Sequence, residues 1–400
     1  MLPSIGKEAA VSSASTSSAS IDQVLSDAVA GGAVPQAVAL VVGRDGVLYE
    51  GAAGPAAAGA ERPATPDSMF RIASMTKIVA TVAALQLAER GDLDLDAPVE
   101  KYLPQFADVR VLTGFDGDTP TLRPPASSAT VRQLVTHTAG FGYWFWNADV
   151  HRWEEVTGTP NVLAGDRAIF SAPMVADPGT RFEYGINTDW LGEVVEAVSG
   201  QPLNDYLAAH VFEPLGMRSA TFAPTAQARK DLVAVHVPTD DGWAATEIDW
   251  SPTPQWWAGG HGIYCTPRDY ARFQQMLLNR GSLDGATILN PETVGNAFRN
   301  QIGDLDFPVH IPTAEPETSG PWNGPAGLKW GLGLLLNTAQ APGMRAPYSG
   351  AWAGVFNTHF WVDPTTGVSG AIYSQFLPFI TDAALGVYAD FERAVYAEFG

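Results

Sequence analysis

The sequence is poor in cysteine and in basic side chains. Its single cysteine, Cys265, excludes an intrachain disulfide framework and any cysteine-rich metal site. Acidic residues outnumber basic ones by 43 to 23 over 400 residues, which gives a formal charge of −20. A field of that sign repels phosphate backbones, and no run of Lys or Arg interrupts it. We therefore expect no nucleic-acid partner.

Long apolar runs are also missing. None approaches the roughly 20 residues that span a bilayer, so we expect no membrane partner. The first 20 residues are rich in serine and lack the longer apolar stretch of a secretory signal. We expect residues 1–20 to form a flexible arm and the protein to be cytoplasmic.

Several catalytic motifs are absent as well. The seven histidines are scattered, with no His-Glu-x-x-His, so we expect no metal site. Neither a phosphate-binding Gly-rich loop with Lys-Ser/Thr nor a dinucleotide fingerprint occurs, so we expect no cofactor. The Gly-x-Ser-x-Gly elbow is missing too, which argues against the α/β-hydrolase triad.

The remaining composition is that of a folded protein. Hydrophobic residues make up 46% and charged residues 16%, which is enough to bury one large or two ordinary cores. Apolar periodicity predicts a long helix over Met75–Arg90, ended by Gly91, and a closing helix over Asp382–Phe399. Strand patterns lie near both chain ends, at Ala37–Val42, Gly46–Tyr49, Trp330–Leu336, Gly354–Val362 and Gly367–Gln375.

Strands at both ends with helices between them predict a discontinuous architecture. We expect an α/β fold of the α+β type whose sheet is shared by the two ends. Residues 21–73 and 255–400 would form the sheet domain, and residues 74–254 a mainly helical domain inserted into it.

The residues Ser74-Met75-Thr76-Lys77 form the candidate catalytic motif. A second Ser-x-x-Lys match, Ser4 to Lys7, lies in the predicted arm and is a chance one. Ser74 sits at the predicted start of the long helix, where free N–H groups and the helix dipole favour a developing anion. Lys77 follows one turn later on the same face. Ser74 as a mere helix cap is the alternative, although a lysine in an apolar helix start is costly without a purpose.

A nucleophilic serine needs a base. No histidine is placed by sequence to serve, but a tyrosine beside the Lys77 cation would have its pKa lowered and accept the proton. Spacing alone does not choose among the 11 tyrosines.

Several blocks in this order resemble the serine β-lactamase and penicillin-binding-protein superfamily, and most nearly the family VIII carboxylesterases with a class C β-lactamase-like fold. They run from about residue 21 to 398: Phe70–Lys77, Leu134–Gly140, Phe182–Tyr184, Glu213–Met217, Gly259–Ile263 and Trp352–Val355. The resemblance implies an antiparallel sheet flanked by helices, with the active site where the two predicted domains meet.

The resemblance also implies a role for each matching residue. Ser74 would be the acylated nucleophile, Lys77 its hydrogen-bonding partner and Tyr184 the general base. The backbone N–H groups of Ser74 and Val355 would form the oxyanion hole. Tyr184 as an ordinary core tyrosine is the alternative.

Two departures from class C β-lactamases bear on the substrate. Trp352-Ala353-Gly354 stands where those enzymes carry Lys-Thr-Gly, which removes the cation expected to hold a β-lactam carboxylate. Ile186 stands where their Tyr-x-Asn motif has asparagine, and the nearest amide is Asn187. Both changes favour uncharged esters.

Aromatic residues cluster beside these blocks, at 143–146 and 256–257. They are read either as an apolar substrate pocket or as ordinary core. The resemblance places Tyr143, Trp352 and Gly354 at the substrate. His137 is expected to be a structural hydrogen-bonding residue and Cys265 a small buried one.

The sequence therefore predicts a serine carboxylesterase that hydrolyses small-molecule, short-chain esters through an acyl-enzyme. The alternatives are an acyltransferase to a bulky alcohol, a β-lactamase or D-amino-peptide hydrolase, and a non-catalytic binding protein. The sequence leaves the oligomeric state open.

Overall fold

The computed structural model describes residues 20–400. Of the arm predicted over residues 1–20, all but Ser20 lies outside the described residues. Ser20 itself is the N-cap of the first helix, where its hydroxyl accepts a hydrogen bond from Gln23 N–H at 3.2 Å.

The described residues form ten α-helices. Their bounds are α1 Ile21–Ala30, α2 Thr76–Arg90, α3 Val131–Val135, α4 Ala148–Thr157, α5 Asn187–Ser199, α6 Leu203–Leu207, α7 Glu213–Leu215, α8 Pro267–Leu278, α9 Pro291–Ala297 and α10 Asp382–Phe399. The predicted closing helix is confirmed, and so is the stop of α2 at Gly91, whose φ of +81° suits glycine.

Seventeen strands, several of only two residues, lie in the same part of the chain. Their bounds are β1 Ala37–Gly43, β2 Val47–Ala53, β3 Phe70–Arg71, β4 Val111–Asp116, β5 Thr119–Arg123, β6 Val235–Thr239, β7 Gly242–Thr246, β8 Tyr264–Cys265, β9 Ser282–Leu283, β10 Ala286–Thr287, β11 His310–Ile311, β12 Trp322–Asn323, β13 Lys329–Trp330, β14 Leu335–Leu336, β15 Gly350–Gly354, β16 Thr358–Asp363 and β17 Val368–Tyr373.

The central sheet is antiparallel and has seven strands in the order β13-β14-β15-β16-β17-β1-β2. Strand β1, from the start of the chain, pairs with β17 from its end, with Val38 opposite Tyr373. The predicted fold class, with a sheet built from both chain ends and flanked by helices, is confirmed.

Alternation along the strands gives the sheet two buried faces. On β1, Val38, Leu40 and Val42 join the large core that also contains α2, α5 and α8. The intervening Ala37, Ala39 and Val41 pack with the terminal helices α1 and α10. A strand with both faces covered is apolar throughout, which is why all seven residues of β1 are buried. We call the two sides the site face and the terminal-helix face.

Two strand predictions are wrong in the same way, because a turn interrupts each apolar run. The run Trp330–Leu336 contains β13 and β14, joined where Gly331 N–H bonds to Leu334 C=O at 2.8 Å. A Cβ on Gly331 would lie 1.9 Å from the carbonyl oxygen of Ala297, so only glycine fits there.

The run Gly354–Val362 likewise divides between β15 and β16. Asn357, at a φ of +60°, turns the chain between the two strands. The turn leaves Val355 just beyond the end of β15, beside the segment that carries Ser74.

In the described part of the chain, no helix is long and apolar enough to cross a membrane. The division into domains at residues 73/74 and 254/255 stays a prediction.

Candidate active site

Ser74 lies just before helix α2 and not at its N-cap. It is the middle residue of a 3₁₀ turn, Ala73–Met75, and the α-helix begins at Thr76 without a side-chain cap. The alternative reading of Ser74 as a mere helix cap is therefore wrong. Ala73, immediately before it, has a φ of +46°, a left-handed conformation that costs a residue with a β-carbon about 1–2 kcal/mol. Strain of this kind is common beside functional side chains.

Lys77 points into the protein, with a side chain among the largest that are fully buried. Its Nζ lies 3.0 Å from Ser74 Oγ, 3.0 Å from the Tyr143 hydroxyl and 2.8 Å from the Gly260 carbonyl oxygen. The segment carrying Gly260 is held here because β3 pairs with β8 and Ile72 N–H bonds to Ile263 C=O. All three positions around a lysine nitrogen are thus occupied by polar partners.

Tyr143 and Asp189 form a second layer behind Lys77. The Tyr143 hydroxyl donates to Asp189 Oδ2 at 3.2 Å, and Gly260 N–H donates to Asp189 Oδ1 at 2.8 Å. The Asp189 side chain is completely buried. Tyr143 was predicted to contact substrate. Its hydroxyl accepts a hydrogen bond from Lys77, and the contact with substrate stays a prediction.

Tyr184, more than a hundred positions along the chain from Ser74, reaches the same point. Its hydroxyl lies near enough to the Ser74 side chain for Ser74 to lower the pKa of the phenol, and Lys77 Nζ lies 4.8 Å from the centre of the Tyr184 ring. Trp352 Nε1–H donates to the Tyr184 hydroxyl oxygen at 2.9 Å. The Trp352 ring, at the position where class C β-lactamases carry a lysine, packs against Tyr184 and Trp330 at ring-centroid distances of 4.9 and 4.8 Å.

The end of β15 closes the site on the side of the serine backbone. A Cβ on Gly354 would lie 2.5 Å from the Ile72 carbonyl oxygen and 3.1 Å from the Ala73 β-carbon, so glycine allows the strand to touch the turn that carries Ser74. Within residues 20–400, the Val355 N–H has no hydrogen-bond acceptor. The strand end that precedes Val355 thus touches the turn that carries Ser74, and the oxyanion hole formed by their two N–H groups stays a prediction.

Burial shifts the proton affinities of this cluster in opposite directions. It lowers the pKa of Lys77, an effect that the nearby Asp189 carboxylate opposes. It raises the pKa of Tyr184 above the ordinary tyrosine value, although the neighbouring Ser74 and the hydrogen bond from Trp352 oppose the rise. The expectation that Lys77 lowers the pKa of the tyrosine is therefore wrong, because desolvation of the phenolate outweighs the other influences. Near pH 7 the phenol is therefore neutral, and Lys77, whose pKa burial lowers to about 7, is present as the neutral amine in substantial part.

Two cavities flank the site. The larger, about 400 Å³, is lined by Tyr184, Trp146, Phe182 and four residues in and around strand β11, Pro308, His310, Ile311 and Pro312. The smaller, about 30 Å³, is lined by Trp250, Trp256, Trp257 and His261. Of the predicted aromatic cluster, Trp146, Trp256 and Trp257 therefore line cavities. Tyr143, Trp144 and Phe145 are buried in the core.

The remaining candidates have structural surroundings. Asn187 is fully buried and its Nδ2 lies 3.0 Å from His137 Nδ1, so this amide supports the 137–141 segment and does not replace the asparagine of Tyr-x-Asn. His137 is buried and hydrogen-bonded, as expected. Cys265 is buried, and burial raises the pKa of its thiol, which makes it unreactive.

No metal-binding cluster of three or more His, Cys, Asp or Glu side chains occurs among residues 20–400. The assembled groups are a hydroxyl, an amine hydrogen-bonded to it at 3.0 Å, and a phenol whose ring lies 4.8 Å from that amine. Such a set moves protons to and from an oxygen nucleophile without a metal.

Sequence reasoning assigned no role to Asp189, and it assigned none to the Gly260 peptide although the block Gly259–Ile263 matched the family. An acid in the first turn of a helix is common for reasons of helix stability, and Asp189 has this position in α5. Gly260 contributes backbone atoms, for which the sequence carries no side-chain signal. The cue that was available is the doublet Gly259-Gly260, which permits close approach of the chain.

The comparisons identify the class of protein. The Beta-lactamase family pattern matches residues 21–394, and the chain belongs to this family. The family predicted from the motifs is thereby confirmed.

Among curated relatives, esterase EstB of Burkholderia gladioli is 30% identical over 387 residues, covering 89% of this chain and 90% of that protein. Lovastatin esterase of Penicillium rubens is 28% identical, covering 85% and 88%. Monacolin J acid methylbutanoyltransferase of Aspergillus terreus is 29% identical, covering 84% of each chain.

Among solved structures, the LovD6 mutant of simvastatin synthase from Aspergillus terreus superposes with a TM-score of 0.81 at 27% identity, covering 95% of this chain and 94% of that one. EstCE1, described as a hydrolase with promiscuous acyltransferase activity, has a TM-score of 0.75 at 23% identity, covering 94% and 97%, and shares the fold.

Proposed function

We propose that the protein hydrolyses uncharged carboxylic esters through an acyl-enzyme on Ser74. The contact that carries this proposal is the 3.0 Å approach of the buried Lys77 amine to Ser74 Oγ. A neutral amine at this distance accepts the serine proton as the oxygen attacks an ester carbonyl. The N–H groups of Ser74 and Val355 stabilise the oxyanion that forms.

Tyr184 supplies the proton that the leaving alcohol needs. As the tetrahedral intermediate collapses, the bond to the alcohol breaks and the Tyr184 phenol gives its proton to the leaving oxygen. This leaves an ammonium on Lys77 and a phenolate on Tyr184, which the ammonium and the Trp352 N–H stabilise. Water then attacks the acyl carbon and gives a proton to the Tyr184 phenolate. The bond between the acyl carbon and Ser74 Oγ breaks, Lys77 returns its proton to Ser74, and the carboxylic acid leaves.

The substrate class follows from the groups around the site. Trp352 provides an apolar ring and a neutral N–H donor to Tyr184, with no cation for a carboxylate. The formal charge of −20 also disfavours anionic substrates. These features support esters over β-lactams, and the similarity to EstB and lovastatin esterase agrees.

The test is hydrolysis of a short p-nitrophenyl ester by Ser74→Ala. Loss of the nucleophile should lower kcat by about 10³-fold or more, since the remaining groups supply only orientation and oxyanion binding. Ser349→Ala is the control, because Ser349 is a buried serine that donates to Ala346 C=O at 2.7 Å, away from the site. Full activity in Ser74→Ala would reject the proposal.

Acyl transfer to an alcohol is a second candidate. The cavity of about 400 Å³ beside Tyr184 lies where the leaving alcohol or its replacement would sit, and several relatives are acyltransferases. Product analysis with excess bulky alcohol separates the two reactions: a transferred ester supports this candidate, and free acid alone rejects it.

A further inference from the structure

The geometry points to Asp189 as a positioning residue of this site, one that orients Lys77 toward Ser74 through two bridges, the Tyr143 hydroxyl and the Gly260 peptide. This inference rests on the proposed function, because it assigns a purpose to contacts behind the proposed base.

The first observation is that Asp189 reaches Lys77 twice without touching it. The Tyr143 hydroxyl accepts from Lys77 at 3.0 Å and donates to Asp189 at 3.2 Å. The Gly260 peptide accepts from Lys77 at 2.8 Å through its oxygen and donates to Asp189 at 2.8 Å through its N–H. Each carboxylate oxygen therefore fixes the orientation of one group that Lys77 uses.

The second observation is how closely the carboxylate fits. A Cβ on Gly260 would lie 2.5 and 2.7 Å from the two Asp189 oxygens, so no side chain is possible at this position without displacing them. A Cβ on the neighbouring Gly259 would lie 2.7 Å from Thr188 C=O. The segment is thus shaped to lie directly on the start of helix α5.

The N–H bonds of the Lys77 amine determine where its lone pair points. A neutral lysine has two N–H bonds and one lone pair. With its N–H bonds directed at Tyr143 and Gly260, the lone pair faces the third neighbour, Ser74, and can receive its proton. Tyr143 accepts from Lys77 in this way because its own proton is held by Asp189. Without Asp189 the phenol is free to rotate and donate to the amine, which would consume the lone pair.

The charges around Lys77 leave Asp189 as its counter-charge. The titratable groups facing Lys77 from other elements are Tyr143, Tyr184, His137, His261 and Asp189. Burial raises the pKa of both tyrosines and lowers the pKa of both histidines, so these four are neutral near pH 7. Burial raises the pKa of Asp189 itself to about 6, so this residue is mostly a carboxylate near pH 7, and its charge opposes the lowering of the lysine pKa.

The experiment is Asp189→Asn, a change that keeps the shape and removes the charge. We expect kcat/KM on a p-nitrophenyl ester to fall about 100-fold, mostly in kcat, since proton transfer by a positioned group contributes about 10²–10⁴-fold. Because the carboxylate raises the pKa of Lys77, its loss should move the acidic limb of the kcat/KM profile to lower pH by about one unit. Active-site titration corrects each value for the amount of folded enzyme.

Glu392→Gln is the matched control. Glu392 is an equally buried acid paired with Arg345, with no contact to the site. This variant should be less stable and keep the wild-type acidic limb. A purely structural role for Asp189 would give the same behaviour in Asp189→Asn, and an unshifted limb there would overturn the proposal.

Tyr143→Phe is a second variant that keeps the proposal testable if Asp189→Asn does not fold. It removes the Tyr143 bridge and retains the Asp189 charge. We expect at least a tenfold loss of kcat, which corresponds to the loss of about one positioning hydrogen bond, and a smaller shift of the acidic limb of the pH profile than in Asp189→Asn. Wild-type kcat in Tyr143→Phe would overturn the bridging role. The proposed function fails separately, if Ser74→Ala remains active.

Discussion

The central sheet carries a buried acid and base on each face, and the two pairs are built differently. On the terminal-helix face, Arg345 contacts Glu392 directly, through its side chain at 2.8 Å and its backbone N–H at 3.0 Å. On the site face, among the described residues, hydrogen bonds link Lys77 and Asp189 only through Tyr143 and Gly260.

The difference separates a structural ion pair from a reactive one. Burial alone lowers the pKa of Arg345, but Tyr388 and Glu392 raise it by more, so the guanidinium is permanently charged. Burial lowers the pKa of Lys77, and the distant carboxylate restores only part of it. Direct contact with Glu392 keeps Arg345 charged. The bridged arrangement with Asp189 lets Lys77 lose its proton while its orientation toward Ser74 is kept.

Removing the base on the site face should have the largest effect. We expect Lys77→Met to lower kcat/KM by about 10³-fold, the upper part of the range for a positioned proton acceptor. The measurement is ester hydrolysis with circular dichroism as the check on folding. Lys101→Met, at an exposed position, is the control. A folded Lys77→Met enzyme with substantial activity would contradict the contrast between the faces.

Removing the base on the other face should affect stability instead. Arg345→Met leaves Glu392 buried without its partner, which costs about 3–5 kcal/mol of the free energy of unfolding. We expect kcat/KM per folded molecule to stay within about twofold of wild type, because the pair contacts no site residue. Denaturant unfolding measures the loss.

The control for that variant lies nearby on helix α10. Arg393→Met removes an exposed pair with Asp390, for which about 1 kcal/mol or less is expected. Equal stability losses in the two variants would show that the buried pair is not special.

The smallest predicted effect compares two Trp–Tyr hydrogen bonds across the sheet. Trp352 donates to Tyr184 at 2.9 Å on the site face, and Trp361 donates to Tyr396 at 3.1 Å on the other. Trp352→Phe should lower kcat about tenfold, because one hydrogen bond to the developing phenolate is worth about 1 kcal/mol or slightly more. Trp361→Phe should leave kcat unchanged and lower stability. Unaltered kcat in Trp352→Phe, with Tyr184→Phe strongly impaired, would remove Trp352 from the mechanism.

Local patterns were sufficient for much of the fold. The closing helix, the end of α2 and the terminal strands depend on apolar periodicity and turn residues, which act over a few positions. The split strands were missed because their turns are set by distant backbone: Gly331 is required by the Ala297 carbonyl, which the sequence places 34 residues away.

The site residues also divide into those that local sequence predicts and those whose positions depend on the tertiary fold. Ser74 and Lys77 were predictable because three positions along a helix start bring their side chains together. Tyr184 and Trp352 were placed only by resemblance, since their convergence depends on the tertiary fold. Asp189 could not be singled out, because burial makes an ordinary helix-start acid into a partner of Lys77.

The most direct measurement is the mass of the enzyme during turnover of p-nitrophenyl acetate, with the modified peptide sequenced after rapid acid quench. The account predicts a burst of p-nitrophenol, one acetyl group per molecule, and the label on Ser74. An acetyl group on another residue, or steady turnover with no covalent species under any quench time, would contradict it.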